Sequence, residues 1–116
     1  HIPSVKGTWA GYDPEGPDSA VQISTLLIEQ HGSFIRATIE RKTADGGERT
    51  FEYEGRFTAG QLVLFYEDSQ GRGYIVRTMV LHLSADLRSL KGRTTYHSHD
   101  ENRVVSFPRE YKKVSS

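Results

Sequence analysis

The sequence predicts an all-β chain, folded as a compact eight-stranded up-and-down antiparallel β-barrel, and three observations predict it. Strand-like runs recur along the whole chain, with helical periodicity nearly absent. The segments between the runs hold the Gly, Asp, Asn and Pro that turns require. Most of those segments are short, which makes consecutive strands antiparallel neighbours. Closing eight such strands into a barrel removes the exposed edges. A two-sheet sandwich is the alternative architecture. The 116 residues suffice for one domain with one core, so 1–116 reads as a single β-barrel ligand-binding domain.

The strands are expected at 5–12, 20–30, 33–43, 48–57, 61–67, 73–84, 88–98 and 103–112. The first contains "KGTWAGY", with the only tryptophan of the chain between two glycines. "DPEGPDS" separates it from the second strand, and "HG" turns the second into the third. "ADGG", "AG", "EDSQGRG", "ADL" and "HDEN" make the remaining connections. In an up-and-down barrel alternate connections fall at opposite ends. The tight "HG", "AG" and "ADL" share one end with both termini, and the longer connections share the other. Ligand mouths sit where loops are long, so the mouth is expected away from the termini.

Alternation sorts the side chains by face. If Trp9 points inward, so do Val5, Gly7 and Gly11. A turn at His31-Gly32 pairs Gln30 with Ser33 and turns Leu26, Ile28, Ile35, Ala37, Ile39 and Arg41 inward. The Ala59-Gly60 turn does the same for Phe51, Tyr53, Phe57, Leu62, Leu64 and Tyr66. Across the next turn Arg77, Met79, Leu81 and Leu83 share the inner face with Leu90, Gly92, Thr94 and Tyr96. The last strand adds Val105, Phe107, Arg109 and Tyr111.

This inner face carries an imbalance of charge. Arg41, Arg77 and Arg109 lie on it, whereas Glu29, Glu40, Glu52, Glu54, Glu67 and Glu110 fall on the outer phase. A buried charge without a partner costs several kcal/mol, and an anionic ligand would supply that partner. Otherwise the arginines lie at wet rims or pair with loop acids such as Asp68 and Glu101. Arg77 and Arg41 lie towards the mouth and Arg109 nearer the closed end. Trp9, Tyr53, Tyr66, Tyr96 and Thr94 line the inner wall, with Tyr12, Tyr74 and Arg72 near the mouth. Flat rings beside guanidinium groups suit nucleobases beside phosphates. Individually, each ring also suits a barrel core. Trp9 reads as floor or wall of the interior, with Gly7 and Gly11 letting the wall bend around it.

Composition narrows the classes. There are 15 basic and 15 acidic residues, so an anionic ligand must meet a local cluster and not a whole-protein field. No nucleic-acid polymer is expected as partner. Cysteine is absent, which removes disulfides and thiolate chemistry. "HSHD" at 97–100 sets His97 and His99 two apart, a weak metal signal, and a metal-dependent barrel enzyme is the remotest reading. "GRG" at 71–73 lacks the following helix of a phosphate-binding fingerprint. No nucleophile-and-base arrangement is recognisable, so neither enzymatic activity nor a metal or cofactor is expected.

"GTWAGY", "LLIEQHGSFIRATI", "LVLFYED" and "LRSLKGRTTY" together resemble a known family. It is the cyclic-oligonucleotide-sensing β-barrel domain of the two-transmembrane effectors of CBASS, the bacterial anti-phage systems built around cyclic-nucleotide-making (CD-NTase) enzymes. The likeness spans nearly the whole chain, although Gly-x-Trp-x-Gly also opens lipocalins. It implies a receptor for a cyclic dinucleotide that controls a membrane-disrupting effector. It also implies two N-terminal membrane helices, an inner-membrane location and a barrel facing the cytoplasm. The start "HIPSVKG", without methionine, reads as a cut upstream of the first strand. The other binding reading is a lipocalin-like or avidin-like barrel for a small, mostly apolar ligand. Finally, Val21, Ile23, Leu27 and Phe34 fall on the outer phase, an expected face for self-association.

Overall fold

The computed structural model describes residues 3–68 and 75–115. Eight strands follow in order: β1 (Gly7–Tyr12), β2 (Ser24–His31), β3 (Phe34–Lys42), β4 (Glu48–Thr58), β5 (Gln61–Asp68), β6 (Ile75–Leu83), β7 (Ser89–Ser98) and β8 (Arg103–Ser115). Each pairs antiparallel with the next, and β1 also pairs with β8, so the sheet closes on itself. The fold is the predicted up-and-down barrel. A sandwich is excluded by β1 bonding to both β2 and β8. Among the described residues no helix is long and apolar enough to cross a membrane, a statement that does not extend to strands.

The turns set the register. At the β2–β3 connection the turn is Gly32-Ser33 and not His31-Gly32, with His31 opposite Phe34. Gly32 has a φ of 62°, as the first position of a type II′ turn demands of glycine. Ile28 therefore faces Ala37 and not Ile35. A slip of two residues keeps every side chain on its expected face. Ala59 and Gly60 have φ of 52° and 75°, the paired positive values of a type I′ turn. Backbone bonds from Phe57 N to Ser33 O and from Leu83 N to Gly60 O tie this end together.

The inward phase fills that end. Trp9, Leu26, Phe57, Leu62, Leu64, Leu81 and Leu90 are all buried there, each contributing roughly 1.5–3 kcal/mol by leaving water. Trp9 is wholly enclosed, and its indole N–H donates to Val5 O at 2.9 Å. The chain before β1 is held in turn by Val5 N donating to Gln30 Oε1 at 2.8 Å. Trp9 is thus a plug of the closed end. Its expected place in the wall of a ligand pocket is corrected, because the ring is fully buried, has the Lys113 ammonium 4.8 Å from its centre, and does not border the recess.

Val21, Leu27 and Phe34 are exposed as expected, but Leu27 and Phe34 are not neighbours on the outer wall. His31, which faces Phe34, lies four residues beyond Leu27, roughly 13 Å along the strand. Leu27 is flanked by Thr8 and Thr38, and the Arg56 guanidinium covers Phe34 at 4.6 Å. Val21 lies in the β1–β2 connection, and Ile23, half-buried in the same connection, borders the recess at the open end. Exposed apolar side chains gather instead on β5 and β6, where Val63 faces Val80 and Phe65 and Val76 lie nearby.

Two glycines mark close approaches of neighbouring strands, Gly92 in β7 against the Val80 carbonyl and Gly55 in β4. Gly55 faces Leu64, and a Cβ at this position would collide with the Val63 carbonyl. Gly55→Ala must push two paired strands apart. The expected loss is about 1–3 kcal/mol, read as a lower urea midpoint with an unchanged slope. A midpoint equal to that of the parent protein would show that the wall yields there at no cost.

Candidate ligand-binding site

At the opposite end, inside the longer connections, the barrel is open. A recess of about 300 Å³ is bounded by Ile39, Phe51, Met79 and Tyr53 together with Arg41, Arg77 and Arg109. Each arginine is placed by its strand. Arg41 ends the inward row of β3, opposite Ser24, and Arg77 lies on β6 between Tyr66 and Tyr96. Arg109 lies on β8 opposite Gly92.

Arg109 was expected deeper, and the structure corrects this. β1 ends at Tyr12, which faces Glu110, so Arg109 lies level with the end of β1 and therefore at the mouth. Position along one strand does not give depth in a barrel, because the strands tilt by about 35–45°.

The three guanidinium groups have no carboxylate partner among the described residues. The ion pairs found there join Arg103 to Glu101, and Lys91 and Lys112 to Glu110, all outside the recess. Glu101, one of the acids considered for the arginines, is held by Arg103 at 2.7 Å. Asp13 is the only acid lining the recess among the described residues, and its Oδ1 accepts the Glu15 N–H at 3.1 Å. Arg109 Nη1 donates to Pro108 O at 2.7 Å. Arg77 Nε is buried and has no hydrogen-bond partner among the described residues, at a typical cost of about 1–3 kcal/mol. Burial, with Arg109 and Arg77 close by, lowers the Arg41 pKa from its ordinary value. The group remains a cation at neutral pH.

Aromatic rings pack against Arg77 and Arg109. The Arg77 guanidinium lies 4.7 Å from the Tyr96 ring centre and 5.4 Å from that of Phe51. Phe51 meets Tyr66 edge-on at 5.2 Å, and Tyr66 packs on Tyr53 at 5.3 Å. Tyr66, half-buried, thus packs against two rings that border the recess. Burial and the nearby Asp68 raise its phenol pKa. Tyr53, Tyr96 and Thr94 do line the recess, and Thr94 Oγ1 donates to Thr78 O at 3.2 Å. Tyr12 is covered by the Lys112 ammonium at 4.9 Å. Arg72 and Tyr74, also expected near the mouth, lie outside the described residues. His97 and His99 pack ring to edge at 5.7 Å, and no group of three or more metal-ligating side chains occurs among the described residues.

The floor is a feature that the sequence reading missed as a site. Tyr111 is buried and hydrogen-bonded to Ser24, and both line the recess. They meet across Gly11, where a Cβ would strike both side chains. The signal was available in part. Tyr111, Phe107 and Arg109 share one alternating phase, so any one of them at the recess implicates the others. Asp13 and Ile23 lie in the connection, where no periodicity could have found them.

No protein-family model matches this chain, and no curated protein is detectably similar to it.

Tyr111 gives a pH test. Burial pushes its phenol up to about 12, above the value of about 10 for an exposed tyrosine. Between those values the unfolded chain gives up the proton while the folded protein keeps it, so stability falls as pH rises. Its contribution is complete below pH ~10 and is lost by about pH 12, a total of roughly 2–3 kcal/mol. Urea unfolding at several pH values should show this fall, and Tyr111→Phe should flatten it. An equal fall in the phenylalanine variant would assign the titration to other groups.

Proposed function

We propose that this barrel is a receptor for a cyclic dinucleotide, bound in the recess through its phosphates and its bases. One observation carries the reading: three guanidinium groups converge in one recess without an ion pair to any carboxylate among the described residues, and the buried Arg77 Nε has no hydrogen-bond partner among them. Phosphate oxygens complement such a cluster through charge-assisted and bidentate bonds. The rings of Tyr96, Phe51 and Tyr53 beside them match the flat faces of bases. An apolar ligand would leave the guanidinium groups unpaired, which argues against the lipocalin-like alternative.

The reading is of a receptor and not an enzyme. In line with the resemblance to CBASS effectors, we place the parent protein at the bacterial inner membrane, with the barrel in the cytoplasm. There, ligand binding would control an anti-phage, membrane-disrupting effector. Arg77 is the principal phosphate partner, supported by Arg41 and Arg109.

Calorimetric titration with a panel of cyclic dinucleotides tests the reading. At least one should bind, with affinity falling as salt is raised. Arg77→Ala should weaken that affinity about ten-fold to over a hundred-fold, the loss of one charge-assisted contact of roughly 1.5–3 kcal/mol. Arg77→Lys should recover only part, since an ammonium cannot bond two oxygens in parallel. Uptake of a hydrophobic dye, with no cyclic dinucleotide binding at millimolar concentration, would replace this reading with the lipocalin-like one.

A further inference from the structure

Phe107 does not behave as a filling residue. It lies on the inward phase of β8, opposite the buried Thr94, and lines the recess. Val105 and Tyr111 on the same phase are 5% and 2% exposed, whereas Phe107 is 39% exposed. An inward phenyl ring left open forfeits much of its burial energy. Its surroundings are specific: the Tyr96 ring lies 6.1 Å away at a tilt of 39°, and the Arg109 guanidinium is 6.0 Å from its centre.

These contacts extend the ones around Arg77. From β4 to β8 the rim reads Phe51, Arg77, Tyr96, Phe107, Arg109, rings and cations in contact along one line. Phe107 is the most exposed ring of that line, and it stands between the two arginines. A base lying there would have guanidinium groups on either side for the phosphates attached to its sugar. Stacking on an aromatic face is tolerant of base identity and adds to phosphate binding without replacing it.

We infer that Phe107 is a base-stacking surface of the recess, with one base of the ligand on its ring and the adjoining phosphates on Arg77 and Arg109. This rests on the receptor reading above and adds to it a residue and a ligand pose.

The test compares ligands with and without bases. The parent protein, Phe107→Ala, Phe107→Trp and Arg77→Ala are titrated with the cyclic dinucleotide panel and with inorganic pyrophosphate. Phe107→Ala should lose about five-fold to over a hundred-fold in affinity for a cyclic dinucleotide and nothing for pyrophosphate. Phe107→Trp should restore or exceed the parent affinity, while Arg77→Ala should weaken both kinds of ligand. In proton NMR, one base of the bound ligand should show upfield-shifted ring protons, with the shift reduced in Phe107→Ala. Since Phe107 is 39% exposed, the alanine variant is expected to remain folded, which its thermal transition checks. Unchanged cyclic dinucleotide affinity in that variant overturns the stacking assignment and leaves the receptor reading standing. An equal loss for pyrophosphate also overturns it, by giving Phe107 a purely structural role. If the parent protein binds no member of the panel, the receptor reading falls, and the stacking assignment falls with it.

Discussion

The pairing of β1 with β8 is the constraint on which the rest depends. An open eight-stranded sheet could bury one face against another layer and leave its two edges for other partners. Closure leaves a single interior whose width is fixed by strand number and tilt. Every inward side chain must then fill that interior or line a gap in it. Here the interior divides along its length. Trp9, Phe57 and a set of leucines fill the end with the tight turns, while arginines, tyrosines and Phe107 occupy the end with the long connections. The core runs on into the second half through Ile39, Phe51, Tyr53, Met79 and Tyr111, and the three arginines border the recess above it.

That division has an energetic logic. Three cations held near one another lose hydration and repel, a cost felt directly in the lowered pKa of Arg41. The fold offsets part of this with ring faces against Arg77, each cation–π contact contributing about 0.5–2 kcal/mol. It leaves the rest uncompensated among the described residues, where Arg77 Nε has no partner. Stability in the filled half is what allows an unsatisfied half to persist. Proteins carry such local deficits where a ligand removes them.

The architecture was legible in the sequence because its signals were local. Turn residues at regular intervals and strict alternation gave all eight strands and the inward phase, and that phase survived even a misplaced turn at Gly32. Depth was not legible. Tilt brings Arg109 to the mouth, and Trp9, whose inward phase suits wall and plug equally, belongs to the plug. Ile23, Val21 and Asp13 lie in a connection, where alternation says nothing about direction. The outer patch failed for a related reason: Leu27 and Phe34 share a face but not a level on it.

The short motif at the start of β1 marks the boundary between the two halves. Trp9 and Gly11 point the same way and stand two residues apart, yet they serve different ends of the barrel. Trp9 reaches back to Val5 O and seals the filled end. Gly11 gives up a side chain so that Ser24 and Tyr111 can meet above it and form the floor of the recess. A larger residue at position 11 would raise the floor and take volume from the recess while leaving the plug intact. A smaller one at position 9 would hollow the plug and deprive the floor of its support. The tryptophan lies between glycines, then, because one strand must finish the core and open the cavity within a single step of its alternation.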